Sequence, residues 1–224
     1  MLPSNLFSST LQFCPISSVR SSHDGYASGV FPVCDFRPNC TGISHWQQSP
    51  KGSVQLRQQW IPLAGIRAAG NSLWLAVESI ESPGNLGTII RTAEAAGVSG
   101  IFVLDSESDS YDPAAVRASM GSLFSQKLTR CPPGDFTHWA KSCGVAVVGS
   151  SPARLLDYQA LRYRWPAALL IGSEKRGLFE HLAETADFTV RIPMSGGCES
   201  INDSVAAGVL LFEMSSQRQA PDPQ

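Results

Sequence analysis

The chain has 224 residues, of which 43% are hydrophobic and 16% charged, with a formal net charge of −2 at pH 7. The length suits one domain with a sizeable core plus an appendage, and the hydrophobic fraction is that of a globular protein. A near-neutral charge excludes a bulk electrostatic footprint for nucleic acid, so any such surface must be a local patch. No apolar run approaches the length of a membrane span, and no membrane partner is expected.

Residues 1 to about 50 are rich in Ser, Pro, Gly and Cys and show neither helical nor strand periodicity. They read as a poorly ordered extension. The first twenty lack Asp and Glu, as transit peptides do, but Arg20 is their only basic residue. The six cysteines, at positions 14, 34, 40, 131, 143 and 198, are irregularly spaced, and no charged segment followed by an apolar one opens the chain. They read as reduced thiols of a cytoplasmic protein. Cys34, Cys40 and His45 could share a zinc ion, but no paired CxxC supports it and no metal is expected. Residues 51–70, with Arg57, Trp60, Ile61 and Arg67, complete an N-terminal part over 1–70 that is either an extension or a small substrate-binding element.

From Ser72 onward apolar strands alternate with helices. Strands are predicted over 73–77, 101–104, 145–148, 167–171 and 188–192. Helices are predicted over 85–96, with Asn85 as N-cap and Gly97 as terminator, over 113–120 after Asp112, over 136–142, and over 204–214. Short apolar strands separated by helices define an α/β domain, here 71–216, with a largely parallel sheet buried on both faces. Residues 217–224 read as a flexible tail.

Three segments leave strands on the carboxyl side of such a sheet, where ligands bind. The first is Asn85-Leu86-Gly87-Thr88-Ile89-Ile90-Arg91-Thr92-Ala93. Arg91 lies two helical turns from the cap on a helix otherwise made mostly of Leu, Ile, Ala and Gly. It either holds a phosphate or carboxylate or pairs with Glu94 or Glu78. The second is Ile171-Gly172-Ser173-Glu174-Lys175-Arg176-Gly177-Leu178, which lacks the Lys-Ser/Thr of a phosphate loop. Its Glu174 is either a functional carboxylate or a helix cap. No GxGxxG follows the first strand, which argues against an ordinary dinucleotide fold. The third runs from Met194-Ser195-Gly196-Gly197 through Ser200-Ile201-Asn202-Asp203-Ser204 into a helix of small residues. It offers a hydroxyl, an amide and backbone groups to a polar, mostly uncharged ligand such as a nucleoside. No histidine lies in the three segments, so a Ser-His-Asp hydrolase has no base.

Together these segments resemble the three motifs of the SPOUT superfamily, in particular its TrmH branch of RNA ribose 2′-O-methyltransferases. Residues 85–93 match motif one, 172–178 motif two and 192–208 motif three, and 117–124 (Arg-Ala-Ser-Met-Gly-Ser-Leu-Phe) resemble the family's intermediate segment. The resemblance covers residues 72–216. It implies a SPOUT-type largely parallel sheet flanked by helices with a C-terminal trefoil knot, and a homodimer with its active site at the subunit interface. It implies S-adenosyl-L-methionine as cofactor, held by Gly172, Ile192 and Ile201, and RNA (rRNA or tRNA) as partner. The family's polar functional positions fall on Asn85, Arg91, Glu174, Ser200 and Asn202. Arg91 is the family's proposed base, but a guanidinium scarcely deprotonates near neutral pH. Holding the target phosphate and stabilising the developing alkoxide is the more economical role.

Two positions depart from the family pattern. Ile201 stands where Leu is usual, a mild apolar exchange. Asp203 stands where a small apolar residue is common; it either caps the last helix or sets an unfavourable charge beside RNA. The family's frequent N-terminal RNA-binding domain is not recognisable in 1–70, so RNA contacts are expected from the basic–aromatic run Arg154, Arg162, Tyr163, Arg164 and Trp165 and from Lys175 and Arg176. The alternative to an enzyme is a noncatalytic RNA-binding or assembly protein that retains the fold.

Overall fold

The computed structural model describes residues 60–105, 108–151, 156–173, 177–198 and 200–219. The expected N-terminal extension over 1–50, the zinc candidates Cys34, Cys40 and His45, and the site candidates Arg154, Glu174, Lys175 and Arg176 lie outside the described residues.

Six strands form one sheet: β1 (Leu73–Glu78), β2 (Ile101–Leu104), β3 (Leu128–Cys131), β4 (Ala146–Ser150), β5 (Ala167–Ile171) and β6 (Phe188–Val190). Their order is β3-β2-β1-β5-β4-β6, and every pairing is parallel. Side chains alternate across the pleat. Leu73, Leu75 and Val77 of β1, with Leu169 and Ile171 of β5, face the core beneath α1 (Pro83–Ala95) and α5 (Asp203–Gln219). Trp74, Ala76, Phe102 and Leu170 face the opposite core, beneath α3 (Pro133–Ser142) and α4 (Glu180–Ala183). There Phe102 lies 4.5 Å from Trp139, ring centroid to centroid, and 5.2 Å from Phe136. Each large side chain so buried contributes about 1.5–3 kcal/mol, which explains why β2, β5 and all of β1 but its last residue are apolar rather than alternating.

Several boundaries differ from those the sequence predicts. Helix α1 begins at Pro83, with Ser82 as its N-cap; the Ser82 hydroxyl accepts from the Asn85 backbone N–H at 3.4 Å. Asn85 is thus inside the first turn and is not the cap, because proline is preorganised for the opening helical position. Strand β3 was not predicted: Leu-Thr-Arg-Cys carries an exposed Arg130 and too few apolar residues to stand out. The four-residue α4 is too short for any periodicity to appear. A short helix, α2 (Pro113–Ala118), starts at Asp112 as expected, its carboxylate accepting from the Ala114 N–H at 2.7 Å.

The two ends of the domain also differ. Trp60 bridges to Leu128 of β3, and Ile66 is buried in the α3-side core, so the folded unit includes residues ahead of 71. Residues 217–219, expected in a tail, are the last turn of α5. The Arg218 guanidinium donates to the carbonyls of Gly97 at 3.0 Å and Ala96 at 3.2 Å, satisfying the open end of α1. Arg218→Ala is expected to cost about 1 kcal/mol, a fall in Tm of a few degrees by circular dichroism. An unchanged Tm would show that the clip contributes nothing.

The topology also marks one place on the sheet. The connection leaving β1 passes through α1 to β2 on one side, whereas that leaving β5 passes through α4 to β6 on the other. Adjacent strands whose outgoing connections diverge leave a crevice at their carboxyl ends.

Candidate active site at the divergence of β1 and β5

Val77 of β1 pairs in register with Ile171 of β5, so Glu78 and Gly172 follow side by side at the crevice. After β5 the chain folds back on itself: the Ser173 N–H donates to Gly177 O at 3.0 Å, and the Gly177 N–H to Ser173 O at 2.8 Å. A Cβ at position 172 would lie 2.2 Å from Gly177 O, so only glycine permits this closure. Glu78 is buried, and its Oε2 accepts from the Phe179 N–H at 3.1 Å. The last residue of β1 therefore anchors the far end of the β5 loop. Sequence reasoning names Glu78 only as a partner for Arg91 and misses this anchoring role; a carboxylate closing an otherwise apolar strand is the signal that marks it.

The first and third segments meet directly. Asn85 Nδ2 donates to Asp203 Oδ1 at 2.8 Å across 118 positions of sequence. Asp203 is 5% exposed and also accepts from the Ser204 N–H at 2.7 Å. The cap of α5 is the neighbouring Asn202, whose Oδ1 accepts from the Ser204 N–H at 3.0 Å and the Ser204 hydroxyl at 2.6 Å. Asp203 is therefore the first residue of α5, a buried link to α1 whose charge already has two donors. Ser200 is exposed, while Ile192 and Ile201 are half-buried, with Ile192 packed against the α1-side core.

Arg91 is exposed and makes no ion pair among the described residues. The partners that sequence offers are engaged elsewhere. Glu94 accepts from the Ser125 hydroxyl, and hydrogen bonds from Ser122 and Ser125 hold its carboxyl below the usual range. Glu78 holds the Phe179 N–H. Ser122 and Ser125 frame the 3₁₀ turn Ser122–Phe124, so the intermediate segment packs on α1. Gly87 likewise serves packing: a Cβ there would meet the Ala115 carbonyl of α2 at 2.3 Å.

The backbone is strained beside the crevice. Ser79 and Asp105, which follow β1 and β2, adopt φ of 51° and 38°. Each costs on the order of 1–3 kcal/mol, a kind of strain that concentrates at functional sites. The Ser79 hydroxyl donates to the Asp105 carbonyl at 3.4 Å, bracing the two turns together.

The described part of the basic–aromatic run, residues 162–165, lies away from this crevice. Arg164 lies with Gly144, Ala146 and Pro166 around a cleft of ≈ 550 Å³ at the amino ends of β4 and β5. The Leu161 carbonyl and the Tyr163 N–H bond to Gln217, near the end of α5. Tyr163 is buried and its hydroxyl donates to the Tyr158 carbonyl at 2.7 Å, so it offers no stacking face. Burial pushes its phenol well above the usual range. Arg162 and Arg164 remain exposed at this opposite end.

Among the described residues no cluster of His, Cys, Asp or Glu could hold a metal, and no helix is long and apolar enough to cross a membrane. Cys131, Cys143 and Cys198 are free thiols; burial pushes that of Cys131 up to about 11, Asp135 and Asp105 adding to the effect.

A parallel α/β sheet with three polar loop segments at one divergence point matches known proteins. Residues 72–212, more than half of the chain, match the SpoU rRNA Methylase family, and the chain belongs to that family. A 23S rRNA (uridine(2479)-2'-O)-methyltransferase of Streptomyces viridochromogenes is 40% identical over 143 residues, 61% of this chain and 50% of that protein. RlmP of Bacillus subtilis, a 23S rRNA (guanosine(2553)-2'-O)-methyltransferase, is 32% identical over 140 residues, 62% of this chain and 56% of its own. The AdoMet-bound rRNA methyltransferase of Sinorhizobium meliloti superposes with a TM-score of 0.68 at 38% identity, over 71% of this chain and 61% of that one. The chain spans about half the length of the curated relatives it matches.

Proposed function

We propose that this protein is an S-adenosyl-L-methionine-dependent methyltransferase acting on a ribose 2′-OH of rRNA or tRNA in the cytoplasm. The observation that carries the reading is the contact of Asn85 with Asp203, together with the chain closure after Gly172 where β1 and β5 diverge, in a chain of this family. The cofactor supplies an activated methyl group. The half-buried Ile192 and Ile201 fit it by leaving apolar surface for a purine, and the bare backbone at Gly172 permits close approach of the cofactor.

A ribose hydroxyl is a weak nucleophile, so the chain must orient it and stabilise the charge that develops on its oxygen. Arg91, exposed and without an ion pair among the described residues, holds a target phosphate and stabilises that charge, while the phosphate or water takes the hydroxyl proton as the methyl group moves to the oxygen. Ser200 and Asn202 line the polar side of the site, with Glu174 as its carboxylate. The passage from β6 to α5 forms the trefoil knot of the fold family. The active unit is a homodimer joined through the outer helical face, where Val205 and Phe212 of α5 and Met120 beside α2 are 52%, 53% and 66% exposed. Arg154, Lys175 and Arg176 contact RNA, while Arg162 and Arg164 provide a separate contact face at the far end of the sheet.

Calorimetry with S-adenosyl-L-methionine, followed by methyl transfer from labelled cofactor to rRNA and tRNA, tests the reading. Binding and label at a ribose are expected. Well-folded protein that binds no cofactor would overturn it, and cofactor binding without transfer to either RNA would favour a noncatalytic RNA-binding protein.

A further inference from the structure

We propose that Asp203 is a positioning residue: its carboxylate sets which way round the Asn85 amide sits, so that Asn85 Oδ1 is offered to a hydroxyl of the substrate ribose as an acceptor. The proposal rests on the methyltransferase reading above. The two ends of an asparagine amide have nearly the same shape but opposite hydrogen-bonding character. A carboxylate can only accept, so the 2.8 Å contact with Asp203 Oδ1 must be made by Nδ2. The amide oxygen is thereby turned away from Asp203, and no described residue donates to it.

Both side chains stand on rigid mounts. Asn85 is in the first turn of α1, its backbone N–H held by the Ser82 hydroxyl at 3.4 Å. Asp203 opens the 17-residue α5, where the positive end of the helix favours a carboxylate and the Ser204 N–H donates to it at 2.7 Å. Asn202 grips the same Ser204. With Asp203 only 5% exposed, its charge is turned into the protein and does not meet an incoming phosphate in the open. An apolar residue at this position would fill the space but leave Nδ2 without its acceptor, and the amide could then present either end to the ribose. An acceptor fixed in place suits a hydroxyl that must be aligned before its oxygen attacks, and this contact ties that acceptor to α5.

The test compares the full chain with its Asp203→Asn and Asp203→Leu variants, measuring methyl transfer, cofactor affinity and Tm. Asp203→Asn keeps the shape but can meet either end of the Asn85 amide. It is expected to lower kcat about tenfold, with KM for RNA, the Kd for S-adenosyl-L-methionine and Tm nearly unchanged. Asp203→Leu is expected to show the same loss in kcat and a lower Tm. NMR of the Asn85 side-chain amide supplies a readout apart from turnover: one Nδ2 hydrogen is expected to be protected from exchange in the wild type and unprotected in Asp203→Leu. A wild-type kcat in Asp203→Asn would overturn the proposal while leaving the methyltransferase reading intact. Equal exchange of the Nδ2 hydrogens in wild type and Asp203→Leu would overturn it on geometry alone. A wild-type chain that transfers no methyl group overturns the reading itself, a result distinct from either.

Discussion

Arg91→Lys is expected to lower turnover by about 10²-fold while leaving the affinity for S-adenosyl-L-methionine unchanged. The charge survives this substitution, so a purely Coulombic role would be largely preserved. What is lost is the planar fork of donors that grips two phosphate oxygens at once and keeps the phosphate, and with it the ribose, in one orientation. The side chain is exposed on α1, and the carboxylates of Glu94 and Glu78 are committed to Ser125 and to the Phe179 N–H. Nothing described would therefore be left unpaired in the variant, and Tm should hold. Single-turnover methylation separates the effect from RNA affinity. Near-normal turnover would remove Arg91 from the mechanism.

Gly172→Ala is expected to weaken cofactor binding by tenfold or more, about 1.4 kcal/mol or above, in a protein that still folds. The added Cβ would lie 2.2 Å from Gly177 O, 2.3 Å from its carbonyl carbon and 2.5 Å from Leu178 N. All three are backbone atoms, so no flexible side chain can swing away, and the loop must open. Opening breaks the pair of hydrogen bonds between Ser173 and Gly177. Overpacking of this kind costs about 1–3 kcal/mol of stability. Gly177→Ala is the informative control: its φ is +67°, but a Cβ there meets nothing within 4 Å among the described residues. It should cost only the conformational penalty, about 1 kcal/mol. Calorimetry on both variants, with circular dichroism to confirm the fold, separates closure of the loop from backbone strain; equal cofactor affinities would rule out the closed loop as part of the site.

Much of the sheet was legible because burial on both faces leaves a continuous apolar run. Strand β5, Ala167–Ile171, coincides with its predicted limits for that reason. Strand β3 was hidden because one of its four residues is an exposed arginine, and α4 because one turn carries no period. The rule that ligands gather at the carboxyl ends of parallel strands places Asn85, Gly172 and Ser200 toward one end of the sheet from the sequence alone. The bond between Asn85 and Asp203 was not legible, because it joins residues 118 positions apart and depends on where α5 lands beside α1. The burial of Tyr163 was not legible either: it sits between two arginines like the aromatic of an exposed basic run, yet its ring is buried with its hydroxyl on the Tyr158 carbonyl while Arg162 and Arg164 stay exposed.

The pairing of Trp60 and Ile61 with Leu128 has a consequence for how this domain meets other chains. A free edge strand is a template for unwanted strand addition and aggregation. On β3 the outer hydrogen-bonding groups are partly spent: the Ile61 N–H donates to Leu128 O at 2.8 Å, and the Thr129 hydroxyl to Ile61 O at 3.0 Å. Arg130 lies 4.7 Å from the centre of the Trp60 ring and sets a charge beside the same margin. At the other margin β6 is only three residues long. Both margins are thus blunted, one by cover and charge and the other by brevity. Growth of the sheet from molecule to molecule is disfavoured, and recognition is left to the helices and loops.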